Sequence, residues 1–82
     1  MNKQKLLEKV LAGSRNIRFA DFTLLVEAFG FQLSRTRGSH HIYQHPAVME
    51  ILNLQDVNGQ AKPYQMRQFL QLVEKYHLKM ED

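Results

Sequence analysis

The chain reads as an α+β protein in the order helix, helix, three antiparallel strands, helix, with the helices gathered on one face of the sheet. Three observations carry this reading. Apolar residues recur at helical spacing in residues 1–29 and again after Pro63, whereas residues 31–54 alternate at the two-residue period of strands. The joints Gly38-Ser39 and His45-Pro46 are too short for anything but antiparallel connections, and Asp56-Val57-Asn58-Gly59 turns the chain out of the last strand. A sheet with one apolar face then needs helices to cover it.

Residues 1–11 form the first helix, because Leu6, Leu7, Val10 and Leu11 share a stripe that Lys3, Lys5, Glu8 and Lys9 avoid. Gly13-Ser14 ends it, and Ile17 and Phe19 pin the connector to the core. The second helix starts between Arg18 and Asp21 and runs to Phe29. Its Phe22, Leu25, Val26 and Phe29 stand at i, i+3, i+4 and i+7, a core-facing stripe. Asp21 suits the positive end of the helix dipole, as cap or in the first turn, and Gly30 is the left-handed residue past the helix end. In residues 31–37, strict alternation sets Phe31, Leu33, Arg35 and Arg37 on one side and Gln32, Ser34 and Thr36 on the other. Gly38-Ser39 turns the chain into a second strand, residues 40–45. There His40, Ile42 and Gln44 oppose His41, Tyr43 and His45, and each side carries an apolar residue, so periodicity leaves the buried face open. Pro46 stops that strand, and residues 48–54 make the third. Pro63 opens the last helix, striped by Met66, Phe69, Leu70 and Val73 with Tyr76 and His77 beside them. Lys75 and Lys79 suit its negative end, and residues 80–82 are expected to fray.

An 82-residue chain has room for one core, so residues 1–82 are read as a single domain. Hydrophobic residues at 44% set against charged residues at 23% exclude an intrinsically disordered chain. The lack of cysteine removes disulfide frameworks and cysteine-based zinc sites. No apolar run approaches the ~20 residues that span a bilayer, and the charged N-terminus lacks a signal-peptide core, so no membrane association is expected and nothing points outside the cytoplasm.

The formal net charge of +3 is mild, but its placement is uneven. Between Glu27 and Glu50 there is no carboxylate, while two of the 11 Lys/Arg and three of the four His fall in that window. Such a patch attracts polyanions. The unusual residues are concentrated in Arg35-Thr36-Arg37-Gly38-Ser39-His40-His41-Ile42-Tyr43-Gln44-His45-Pro46. Guanidinium forks suit phosphate, an imidazole moves protons near neutral pH, and a glycine lets a ligand backbone come close. The combination fits a phosphodiester. RNA carries its own nucleophile, the 2′-hydroxyl, so a base, charge stabilisation and proton delivery suffice, without a metal. A shared metal ion is not expected: on a strand His41 and His45 lie about 13 Å apart, and His40 and His41 face opposite sides. Gly38 is first a turn residue, and Ser39 can donate to phosphate or satisfy the turn. His41 and Tyr43 either support the structure or stack on a base. Lys62 and Arg67, at the start and on the exposed face of the last helix, either track an RNA backbone or serve solubility.

Gly38-Ser39-His40-His41, followed by Tyr43 and His45-Pro46, resembles the signature of HicA-type toxins, the YcfA family of mRNA interferases. The resemblance runs from about residue 21 to residue 78. It implies a fold like the double-stranded-RNA-binding domain and makes His40 the catalytic residue. Arg35, Arg37, Gly38, Ser39, Lys62 and Arg67 then become RNA-binding candidates. It also implies mRNA as substrate, no cofactor, and a HicB-like antitoxin as partner; the free chain is expected to be a monomer. Residues 1–18 read as a helical extension in front of a core at 19–79. Many relatives place a Pro and a further His or basic cluster after the third strand, where this chain has the neutral-to-acidic Asn53–Gln60, so fewer phosphate contacts are expected there. The alternatives from other classes are a non-catalytic RNA-binding module of the same fold and a protein-binding adaptor. Whether His40 acts as base or acid is left open at this level.

Overall fold

Along residues 2–81, which the computed structural model describes, the chain forms α1 (Lys3–Leu11), α2 (Phe19–Ala28), β1 (Gln32–Arg37), β2 (His40–His45), β3 (Val48–Gln55) and α3 (Pro63–Lys75). The strands make one antiparallel sheet in the order β1-β2-β3, the meander that the short joints predict. From α2 to α3 the order is helix, three strands, helix, the double-stranded-RNA-binding-domain-like α+β arrangement, and α1 is added in front of it.

Local chemistry sets the helix ends. Asn2 caps α1, its Oδ1 accepting from the Lys5 amide at 2.8 Å. Arg18 stands at the cap position of α2 without a capping side chain, and Asp21 in the first turn lies 3.9 Å from its guanidinium. Pro63 opens α3 as expected. The α1 stripe is narrower than the periodicity suggests: Leu6 and Val10 are buried, while Leu11 is 62% exposed. In α3 the buried face is Gln65, Met66, Phe69 and Leu72, with Leu70 and Val73 at its margin. The stripe is rotated from the one the periodicity suggests, and Gln68, Gln71 and Leu72 of α3 line a pocket together with Glu50–Asn53 of β3.

Phe69 ties the layers together. Its ring meets Phe22, Phe29 and Phe31 edge-on at centroid distances of 5.6, 5.3 and 6.0 Å, so α3, α2 and the entry to β1 share one aromatic cluster. Leu6 and Val10 of α1 belong to the same core as Tyr43, Leu52 and Leu54 of the sheet. His41, Tyr43 and His45 therefore face the helices, and His40, Ile42 and Gln44 face outward. Burial pushes the Tyr43 phenol up, with the charge of Glu27 adding to it.

Strict alternation in β1 is overturned. The pairing Leu33↔Tyr43 is followed by Arg35↔Ile42, which leaves Ser34 as a bulge. Without it, Phe31 (2% exposed) and Arg35 would share a face, and one of them would be misplaced. The extra residue lets Phe31 enter the core while Arg35 and Arg37 pair with outward-facing residues. The second strand junction is also irregular, between Tyr43 and His45, where His45 returns to pair with Val48.

Residues 80 and 81 do not fray as expected; residue 82 lies outside the described residues. His77 takes φ +53, Leu78 and Met80 pack on the core, and the Glu81 amide donates to the Ala28 carbonyl at 2.6 Å. That carbonyl is one of those left unpaired at the C-terminus of α2. The next, on Phe29, accepts from His45 Nε2–H at 3.0 Å, while His45 Nδ1 accepts from the Ala47 amide. His45 is thus a structural bolt whose ring lies edge-on to Phe31 at 5.1 Å. Gly30 makes room for it, at φ +95 with an added Cβ only 2.8 Å from His45 Nε2. On the other side of the core, Glu50 accepts from Lys75 Nζ at 2.7 Å and from the Tyr76 hydroxyl, joining β3 to the end of α3.

Two predictions follow from these clamps. Gly30→Ala forces a left-handed φ on a residue with a Cβ and crowds a ring held at both nitrogens. Urea denaturation should show a loss of about 1–3 kcal/mol. The hydrogen bonds from Lys75 and then Tyr76 hold the Glu50 carboxyl at about 2, below the ordinary 4.5. A carboxyl more acidic when folded contributes fully above pH 4.5, and that contribution is lost as the pH falls through about 2. The stability gap between the native chain and Glu50→Gln should therefore close over that acid range, as read by denaturation at a series of pH values.

Candidate active site

The site grows from a two-residue turn. Gly38 adopts φ +59, and Ser39, the next residue, does not go positive, the glycine-first pattern of a tight hairpin. Nothing lies within 4 Å of a Cβ placed on Gly38, so the glycine is needed for its dihedral angle rather than for room. The turn sets Arg37 directly opposite His40, and the bulge sets Arg35 opposite Ile42. Directly opposed residues of an antiparallel pair project from the same face. Both guanidiniums and the exposed His40 imidazole consequently share the open face of the sheet.

β3 supplies the other flank. Gln55 pairs with His40 and Asn53 with Ile42, so both lie on this open face. The Asn53 Oδ1 stands 3.1 Å from His40 Nδ1. The turn is latched to the end of β3 in two ways: the Asp56 amide donates to the Ser39 carbonyl at 2.9 Å, and Gln55 Nε2 donates to Ser39 Oγ at 3.4 Å. On the same face, between Arg35 and Asn53, Ile42 is only 8% exposed although it points away from the main core. It forms an apolar floor for the polar ring around it.

The remaining candidates fall elsewhere. His41 faces inward, its ring 4.9 Å from Phe19 and its Nδ1–H donating to the Ser39 carbonyl at 3.2 Å. It braces the turn. Tyr43 is 2% exposed and in the core, so it offers no stacking surface. The three imidazoles are held on different neighbours, and no group of three His, Cys, Asp or Glu that could hold a metal ion occurs among the described residues. Lys62 begins α3. Arg67 lines a groove of about 320 Å³ between α1 and α3, together with Arg15, Val10, Leu11 and Met66. These two cations belong to the helical layer, and the structure does not gather them with Arg35 and Arg37. Asn53 is the site residue that sequence reasoning missed. It lies in a stretch read only as lacking basic residues, and its place depends on the β2–β3 register, which no local pattern announces.

A family model described as the HicA toxin of bacterial toxin-antitoxin matches residues 19–74. The chain belongs to the HicA toxin family. The HicA match opens on Phe19, the first residue of α2, and closes on Glu74 in the last turn of α3. It therefore contains the turn, both flanking strands and β3, and leaves α1 in front. No curated protein and no solved structure matches the chain. As a HicA toxin it has an antitoxin as its partner. Among the described residues, no helix is long and apolar enough to cross a membrane.

Proposed function

We propose that this HicA toxin is an mRNA interferase in which His40 is the catalytic residue. The observation that carries the reading is an exposed imidazole directly opposite Arg37 and diagonal to Arg35, on a sheet face toward which the strands turn no carboxylate. A flat, cationic, open face suits a polymer backbone better than a small molecule.

Arg37 and Arg35 hold the scissile phosphate, and the Ser39 hydroxyl is free to donate to a phosphate oxygen while it accepts from Gln55. Gly38 keeps the turn open beneath the strand. The 2′-hydroxyl gives up its proton as its oxygen bonds to phosphorus. The P–O5′ bond breaks, and the departing 5′-oxygen takes a proton. His40 serves this proton traffic, and the guanidiniums offset the charge that builds on phosphorus. The products are a cyclic 2′,3′-phosphate and a 5′-hydroxyl, and no metal is required because the ribose supplies the nucleophile. Lys62 and Arg67, in the other layer, add to the long-range field that draws RNA in. A HicB-type antitoxin neutralises the protein by covering the face that carries His40.

Single-stranded RNA incubated with the purified protein in EDTA should be cut to 5′-hydroxyl products, and His40→Ala should abolish cutting while RNA retention on a filter persists. Retention without cleavage by either protein would leave only an RNA-binding module. The salt dependence of retention tests the arginines separately. Removing one phosphate contact with Arg37→Gln should reduce the slope of log affinity against log salt by about 0.7.

A further inference from the structure

We infer that Asn53 is a positioning residue that fixes the tautomer of His40 and leaves Nε2 as the general base; the catalytic half of this inference rests on the ribonuclease reading above. The geometry is specific. Asn53 Oδ1 lies 3.1 Å from His40 Nδ1, and a carboxamide oxygen can only accept. Nδ1 must then carry the ring proton, and the lone pair sits on Nε2. Two residues of β3 flank His40 on this face: Gln55, its direct partner, and Asn53, the diagonal one. Gln55 is committed to Ser39 Oγ, so among the described residues Asn53 is the side chain that holds the ring.

The consequence is chemical. A neutral imidazole without a partner populates both tautomers and swings about its χ angles, and only the Nδ1–H form presents an Nε2 lone pair. With Nδ1 tied toward β3, the free nitrogen is the one directed away from β3. It receives the 2′-hydroxyl proton while the 2′-oxygen closes on phosphorus, and the ring becomes a doubly protonated imidazolium. The positive charge on that ring is then stabilised by the same Oδ1, which accepts more strongly from an imidazolium than from a neutral ring. Asn53 touches neither substrate nor reacting atom, so its effect falls on kcat through His40 rather than on RNA affinity.

The tautomer is read directly by ¹⁵N NMR of the His40 ring in the wild-type protein at a pH of about 9, beyond the ordinary imidazole range, with no dependence on activity. A protonated Nδ1 is the expected result; a protonated Nε2, as a donating Asn53 amide would impose, overturns the inference. Asn53→Leu should release the ring, mix the tautomers and lower kcat about tenfold, a fraction of the ~10²–10⁴ that a positioned base contributes, with KM unchanged. Asn53→Asp keeps an acceptor at the same place and should keep both the Nδ1–H signal and most of kcat, while its charge raises KM for RNA. If Asn53→Leu leaves kcat intact, the positioning role is wrong even though cleavage occurs. A wild-type protein that holds Nδ1–H and cleaves nothing overturns the base assignment together with the ribonuclease reading, and that outcome is distinct from a wrong tautomer.

Discussion

The whole arrangement depends on the register of three antiparallel strands about His40. A two-residue turn fixes Arg37 across from it, and the run of β3 fixes Gln55 on its other side. Because side chains alternate with a period of two, a slip of one residue would turn His40 and both arginines toward the helices and bring His41 and Tyr43 into solvent. The burial of Tyr43, Leu52 and Leu54 opposes that slip, since each is at most 2% exposed in the core. The same apolar contacts that hold the domain together therefore hold the polar face in place. The latch of Asp56 and Gln55 onto Ser39 adds a second restraint at the end of the sheet that carries His40.

The elements were legible because each is written locally. Phe22, Leu25, Val26 and Phe29 recur at helical spacing, Gly38-Ser39 is turn chemistry, and Pro63 stands where a helix can begin. What was not legible depends on long-range pairing. The two faces of β2 each hold an apolar residue, and only the packed helices decide that Tyr43 goes inward and Ile42 outward. The bulge at Ser34 shows the limit of periodicity most clearly. Phe31 and Arg35 are four apart, which in an unbroken strand is the same face, and their opposite needs are met by one inserted residue that carries no signal of its own. Residues 80 and 81 mislead for a similar reason: they look like a fraying segment past the last helix, yet Met80 packs on the core and the Glu81 amide satisfies a carbonyl of α2.

Three histidines within six residues are held in three different ways, set by their neighbours rather than by their sequence. His45 uses both nitrogens on backbone groups and closes the end of α2. His41 lies against Phe19 and props the turn. Among the described residues, His40 and His41 each have one nitrogen held and one without a hydrogen bond, and of these two it is His40 that stands on the open face beside the arginines. A proton-transfer residue needs that combination: a ring tied at both nitrogens cannot accept a proton without breaking a bond, and a ring tied at neither has no fixed direction.

The charge on the face is kept clean by the way the one acid of β3 is handled. Glu50 lies between Glu27 and Asp56 as the single carboxylate of residues 28–55, and its parity with Val48, Leu52 and Leu54 turns it to the helical side. There Lys75 and Tyr76 hold it, and the ammonium that neutralises it comes from α3 rather than from Arg35 or Arg37. Had Glu50 been one position earlier or later along the strand, it would have projected onto the open face and opposed the positive field of the two arginines. An interaction that looks like ordinary surface stabilisation of α3 against β3 thus has an electrostatic consequence on the opposite side of the sheet: the guanidiniums are left without a carboxylate from the sheet to satisfy them.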